Sequence, residues 1–194
     1  MAERGPTWSL EGTLQVLQPG DHVCAIYDND LEHLELIVPF VRIGLKGGEK
    51  CVYIAEEGDE GYVAHVLSTT GIDVAAALER KALVLLSSRV AYLKGNSLDA
   101  YRMFTLWKHL IGDAQEQGFS RLRGAGDMQW ILRGVSAQRW LAYERNLTQL
   151  AADRRCLLLC QYCRPYFRTD QLLDVIRTHP RVIHRGTPVE NIYY

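Results

Sequence analysis

Lys50-Cys51-Val52-Tyr53-Ile54-Ala55, preceded by Gly47-Gly48 and closed by Glu56-Glu57-Gly58, is the stretch whose reading decides the fold. By composition it is a buried strand, and the residues from about Gly61 to Thr70 then read as a helix. A strand that is a near-continuous apolar run is covered on both faces, as in a parallel sheet held between layers of helices.

The alternation repeats in both directions. Upstream, His22-Val23-Cys24-Ala25-Ile26-Tyr27 is another short run of strand formers, ending at Asp28-Asn29-Asp30, which turns the chain or caps a helix. Leu31, Leu34, Ile37, Val38, Val41 and Leu45 follow at three- and four-residue spacing, Asn29 with Glu32 fits a capping box, and Gly47-Gly48 supplies the stop. Pro39 inside this helix predicts a kink. Downstream, the pattern predicts a short helix (73–81), a strand (82–87), a long amphipathic helix (98–117), a strand (119–124), a helix (136–153), a strand (156–162), a helix (169–178) and a last strand near Val182. The predicted architecture is one three-layer α/β domain over residues 15–194, a mainly parallel sheet with helices on both faces, preceded by a loose segment, 1–14. Ligands of such sheets sit at the carboxyl ends of the strands.

With 47% hydrophobic and 23% charged residues in a chain of 194, disorder, collagen and coiled coil are excluded. Met1 to Gly12 lacks the apolar centre of a signal peptide, and no apolar stretch approaches the roughly 20 residues that span a bilayer. The expectation is a cytoplasmic protein without membrane contact, its five cysteines reduced. The net charge of −1 hides an asymmetry: residues 1–100 balance to −7 and residues 101–194 to +6, with 13 Arg in the latter. The Arg residues are spaced, Arg133, Arg139, Arg145, Arg164, Arg177 and Arg185 among them, with no recognition-helix pattern, so direct nucleic-acid binding is not expected. Acidic residues of the early strand ends and Arg-bearing helices of the later half are predicted to meet across the cleft or across a contact with a second copy.

The blocks Gly20-Asp-His-Val-Cys-Ala-Ile-Tyr27, Pro39-Phe40, Gly44-Leu45, Gly48 through Ala55, Gly126-Asp127-Met128 with Trp130, Tyr143-Glu144, Leu159-Cys160-Gln161-Tyr162, His179-Pro180 and Asn191-Ile-Tyr-Tyr194 resemble the MEDS domain family. That family is named for methanogen and methylotroph regulators and includes the sensory part of a dichloromethane-responsive repressor. The blocks fall in order over about residues 15–194. The family in turn resembles RecA/KaiC-like ATPases, here with a degenerate phosphate loop. A working loop needs glycines, a Lys and a Ser or Thr, whereas the equivalent turn reads Ala25-Ile-Tyr-Asp-Asn-Asp-Leu31 and sets two acidic side chains where polyphosphate would lie. The resemblance implies a sensory module in prokaryotic signal transduction that binds simple hydrocarbon derivatives and is commonly joined to DNA-binding or histidine kinase parts. With the length taken up by one domain, the expectation is a separate regulator or kinase as partner, with a homo-oligomer as a further option.

The candidate ligand-binding residues are His22, Cys24, Tyr27, Asp28 and Asn29 around the first strand's end, Glu56 and Glu57 after the second, Arg123, Asp127, Met128 and Trp130 in a Gly-rich stretch read as a loop, and Cys160 and Tyr162. Tyr27 and Asn29 would orient a polar ligand, Asp28 would accept a proton, and Met128 with Trp130 would supply an apolar wall. Against these stand blander readings: helix capping for Asn29, solvated charge for Glu56-Glu57, core packing for Met128 and Trp130. Arg123 is offered Asp127, Glu56 or Glu57 as partners. Cys156-x-x-x-Cys160-x-x-Cys163 has an iron–sulfur spacing but lies on an apolar strand, which argues for inert thiols; a metal or redox role would draw on His179, His184 or Cys24. The reading is a non-enzymatic sensory domain for a small organic ligand, with no cofactor and no metal. The alternatives are a residual nucleotide-binding protein or ATPase using Glu56 and Glu57, and a thiol or metal redox sensor.

Overall fold

A computed structural model describes residues 9–94, 97–184 and 186–194. Residues 1–8 of the segment expected to be loose, and Arg185, lie outside the described residues. In chain order the elements are α1 (Leu10–Gln15), β1 (His22–Tyr27), α2 (Asp30–Lys46), β2 (Lys50–Ala55), α3 (Glu60–Thr69), α4 (Val74–Glu79), β3 (Leu83–Ser87), α5 (Ser88–Tyr92), β4 (Leu93–Lys94), β5 (Ser97–Leu98), α6 (Ala100–Glu116), β6 (Leu122–Asp127), α7 (Ala137–Ala151), β7 (Cys156–Cys163), α8 (Thr169–Ile176), β8 (Arg181–His184) and β9 (Thr187–Glu190). Short 3-10 turns follow β6 at Gln129–Leu132 and β7 at Arg164–Tyr166.

Seven strands form one sheet in the order β3-β2-β6-β7-β1-β8-β9, and every neighbouring pair is parallel except β8–β9. β4 and β5 make a separate two-residue hairpin. Helices cover both faces. Val23, Ala25 and Tyr27 of β1, with Tyr53 of β2 and Leu157 and Leu159 of β7, pack against α1 to α4 through Leu14, Ile37, Phe40 and Leu67. The alternate residues Cys24, Ile26, Val52, Leu158, Cys160 and Tyr162 pack against α6, α7 and α8 through Trp107, Ile111, Trp140, Leu147 and Val175. Period-two alternation therefore sends neighbours in sequence into two separate cores, and each fully buried Leu or Ile contributes about 1.5–3 kcal/mol.

Local chemistry starts the helices, α6 two residues later than expected because Leu98 belongs to β5. Asn29 accepts from the Glu32 amide at 3.1 Å, Asp73 from Ala76 and Asp99 from Arg102. The Glu32 carboxylate reaches the amide of Asp28 at 2.8 Å instead of that of Asn29, so the capping box is displaced by one residue. Pro39 lies within a helix that runs unbroken from Asp30 to Lys46.

Three expectations need correction. Of the loose segment, Leu10–Gln15 is a helix with Thr13 and Leu14 buried, because Leu14 completes the core against α2. The strand placed at 119–124 begins only at Leu122, since the amides of Phe119 and Ser120 still bond the end of α6 and Gly48. The Gly-rich stretch is consequently not a loop: Arg123, Gly124, Ala125, Gly126 and Asp127 form a central strand. Glycine is required there by what presses on it. A Cβ on Gly124 would lie 2.5 Å from the Trp107 ring, and one on Gly126 2.7 Å from the Tyr92 hydroxyl.

Candidate functional site

The register brings the carboxyl ends of β2, β6, β7 and β1 side by side, pairing Asp127 with Gln161 and Tyr27 with Cys163. Above them, on the α2–α3 side, opens a cleft of about 270 Å³ lined by Tyr27, His33, Tyr53, Glu56, Asp127 and Gln129 among others. Its floor is a connected polar cluster. The Tyr27 hydroxyl donates to Asp127 Oδ2 at 3.2 Å, and the Tyr27 ring stacks on His33 with centroids 4.4 Å apart and planes 3° from parallel. The Tyr53 hydroxyl donates to Gln161 Oε1 at 3.0 Å and lies 3.0 Å from His33 Nε2, which is 3.9 Å from Asp127 Oδ2. Asp127 Oδ1 accepts from the Gln129 amide at 2.8 Å.

Burial tunes these groups. It pushes the Asp127 carboxyl up to about 6 against the hydrogen bonds from Gln129 and Tyr27. Burial raises both tyrosine hydroxyls well above their usual range, Asp127 adding to it, so each stays protonated and able to donate. His33 is lowered by its burial and stays neutral near pH 7. Gln161 Nε2, fully buried, finds no hydrogen-bond partner among the described residues. Such a floor offers donors and acceptors to a small polar ligand group.

Around the rim, acids of the early half meet Arg133 and Arg164 of the later half, which come from the short turns after β6 and β7 and not from the helices expected. Arg133 bridges Glu56 and Glu57, Arg89 pairs with Glu57 at 2.8 Å, and Arg164 pairs with Asp28. Burial raises Glu56 against the pull of Arg133, whereas hydrogen bonds from Arg89 and Arg133 lower Glu57. Asn29 is a helix cap, the blander of its two readings.

Tyr27, Glu56 and Asp127 line this cleft, with Asp28 and Glu57 paired beside it, but the other candidates are elsewhere. Arg123 sits at the opposite end of β6, opposite Cys51, under the Phe40 ring and bonded to Glu49, not to Asp127, Glu56 or Glu57. Four residues separate Arg123 from Asp127 on one strand face, too far for a side-chain pair. Met128 and Trp130 are core residues at 0% exposure, packed with Tyr92 and Tyr143, and form no apolar wall. His22, Cys24, Cys160 and Tyr162 point to the other face of the sheet, against α7. There His22, Cys160 and Tyr162 gather with His179 around the buried carboxylate of Glu144, which takes a 2.6 Å bond from the Tyr162 hydroxyl. Burial pushes Glu144 up, but His179 and His22 together carry it below the usual carboxylate range; burial and then His179 take His22 down to about 4.

Sequence reasoning missed His33, Tyr53 and Gln129. Gln161 carried a signal, as the single amide in the apolar run from Cys156 to Tyr162. His33 reads as a solvated residue of a helix's first turn until β7 is placed beneath it.

The fold and the site define an α/β domain whose strand ends frame a small polar cleft, with the start of α2 beside it capped by Asn29. Comparison with known proteins assigns the particular family: residues 21–180 match MEDS, the methanogen/methylotroph, DcmR sensory domain, and the chain belongs to that family. It is also 30% identical over 161 residues to the transcriptional repressor DcmR of Methylorubrum extorquens, a match covering 82% of this chain and 58% of that repressor's length. A sensory signalling role follows from the family. No helix among the described residues is long and apolar enough to cross a membrane.

Proposed function

We propose that residues 15–194 act as a non-enzymatic sensory domain that binds one small hydrocarbon derivative in the strand-end cleft and signals through a separate regulator or histidine kinase. The observation that carries this is the floor of the cleft, where Tyr27, His33, Tyr53, Asp127 and Gln161 converge. At about 270 Å³ the cleft lies below the usual range of drug-sized sites and suits a few heavy atoms. With Met128 and Trp130 withdrawn into the core, the ligand is held chiefly by its polar head, so an alcohol, ketone or short carboxylic acid fits better than a bare halocarbon. Occupancy alters the contacts of α2, which carries His33, and of the Gln129 turn. A ligand that favours one arrangement of these two shifts the population seen by a partner, whether a regulator, a kinase or a second copy.

The same geometry speaks against the ATPase reading that the resemblance to RecA/KaiC-like ATPases raised. At the start of α2 the Glu32 amide is taken by Asn29 and the Asp28 amide by the Glu32 carboxylate, and the acidic Asp28 and Asp30 stand beside them. The Glu56-Glu57 pair is held by Arg133 and Arg89. Thermal unfolding of the chain with short alcohols, ketones, carboxylic acids and halomethanes, against ATP–Mg²⁺, tests the proposal. A ligand at 100 times its Kd stabilises by about 2.7 kcal/mol, a midpoint rise of roughly 5–10 °C for a chain of this size. The rise should vanish in Tyr53→Phe and Asp127→Asn. Stabilisation by ATP–Mg²⁺ alone, with turnover lost in Glu57→Gln, would overturn the proposal.

A further inference from the structure

We propose that His22, Glu144, Cys160 and His179 form a closed, buried binding site for one zinc-class divalent metal ion, on the face of the sheet opposite the cleft. One ligand atom from each lies within 4.8 Å of all the others, and all four residues are buried. His22 Nε2 is 3.3 Å from both Cys160 Sγ and Glu144 Oε2, His179 Nε2 is 3.1 Å from Glu144 Oε2, and Cys160 Sγ is 3.5 Å from it. Metal–ligand bonds of 2.0–2.3 Å arranged tetrahedrally give ligand-to-ligand separations of about 3.3–3.8 Å, so the four groups stand nearly where one ion would hold them.

The hydrogen bonds on the far side of each ring supply a second and independent argument. His179 Nδ1 lies 2.8 Å from the Val175 carbonyl, which only accepts, so Nδ1 carries a proton and Nε2 is the nitrogen left to face a metal ion. That Nε2, although near Glu144, is off any hydrogen-bond line and has no partner among the described residues. His22 Nδ1 is 2.9 Å from the Thr148 hydroxyl, which also lies 3.3 Å from the carbonyls of Glu144 and Thr178. His22 Nε2 is the ring nitrogen that faces Cys160 and Glu144. Two imidazole nitrogens, a carboxylate oxygen and a thiol thus converge in the buried interior, an arrangement that a cation satisfies with both rings neutral and the thiol ionised. Tyr162 ties down Glu144 Oε1 and leaves Oε2 for the ion.

Two nitrogens, one oxygen and one sulfur favour zinc over magnesium or calcium, and four protein ligands with no open position mark a structural site. Binding converts the Cys160 thiol to thiolate and releases one proton to solvent, so the two ligand charges balance the ion. The ion would clamp the start of β1, the middle of β7, α7 and the turn after α8. The inference is independent of the ligand reading of the cleft.

The full chain, purified without chelator, is expected to carry about one zinc per chain by elemental analysis. After chelator treatment, Co²⁺ alone should bind at one equivalent and give the visible bands of a tetrahedral site plus a thiolate charge-transfer band. Cys160→Ser should lose the charge-transfer band, and Tyr162→Phe, which touches no metal, should weaken Co²⁺ binding by roughly 10–100-fold. The cobalt titration of the metal-free wild-type chain needs no variant to fold. Failure of that chain, folded by circular dichroism, to bind Co²⁺ or Zn²⁺ would overturn the proposal, as would a charge-transfer band that persists in Cys160→Ser.

Discussion

Replacing Asp127 by Asn should remove a pH dependence of stability that this one carboxyl imposes on the domain. Asp127 is 3% exposed at the cleft floor, and burial raises its pKa from an ordinary 3.8 to about 6. The unfolded chain ionises it near 3.8, so between about pH 4 and pH 6 the folded state holds a proton that the unfolded state has released. Stability from this group is therefore full below pH 4 and lost as pH rises through 6. At 1.36 kcal/mol per pH unit, the loss comes to about 3 kcal/mol. The groups facing it are Tyr27 from β1, His33 from α2, Cys163 from β7, and Glu56 and Asp59 from the segment after β2. These titrate in both proteins and cancel in the difference, apart from their coupling to Asp127 itself. Asn keeps an oxygen for the Gln129 amide and nearly the same volume. Urea unfolding of both proteins from pH 4 to pH 7.5 should show the variant gaining on the wild type by about 3 kcal/mol across the range. A difference constant to within roughly 0.5 kcal/mol would refute the assignment of a buried, late-ionising carboxyl.

Two arginines should behave oppositely under stability measurement. Arg123→Met strips a fully buried partner from Glu49 and should cost roughly 3–5 kcal/mol, whereas Arg133→Ala at the exposed rim should cost less than about 1 kcal/mol; equal losses would mean that burial is not what separates them. Gly124→Ala drives a Cβ into the Trp107 ring and should destabilise by about 1–3 kcal/mol in a thermal melt, and a wild-type midpoint would show the ring free to move. Native protein should resist a disulfide-exchange thiol reagent at pH 8: all five cysteines are buried, and burial pushes Cys163 up to about 11 and Cys51 and Cys156 up to about 12. Five thiols should appear only in denaturant, and a fast-reacting thiol in the folded state would contradict the packing.

Much of the fold was legible because it is local. The run from Lys50 to Ala55 announces a covered strand, Asn29 caps the helix it precedes, and the quoted blocks identify the family. Errors came where local signals compete with packing. Glycines at 124 and 126 read as a loop because a strand rarely tolerates them, yet Trp107 and Tyr92 fill the space their side chains would occupy. The last strand was found near Val182, but its antiparallel partner β9, at Thr187–Glu190, was not, since Pro188 argues against a strand everywhere except at an edge.

Strand order and side-chain parity decided the rest. The sequence alone determines that His22 and Tyr27 lie on one strand, and that Cys160 and Gln161 lie on another. It does not determine that β7 slots between β6 and β1, which seats Gln161 under Tyr53 and His33 and hands Cys160 to the opposite face. His22, Glu144, Cys160 and His179 each sit within a quoted block, yet no spacing connects them. Their meeting depends on β1 pairing with β7 across more than a hundred residues and on α7 and the turn after α8 packing over that pair. Local propensity acts over a few residues through backbone sterics and nearby hydrogen bonds. The pairing of distant strands is selected by the burial of both sheet faces at once, a property of the whole chain that no segment carries.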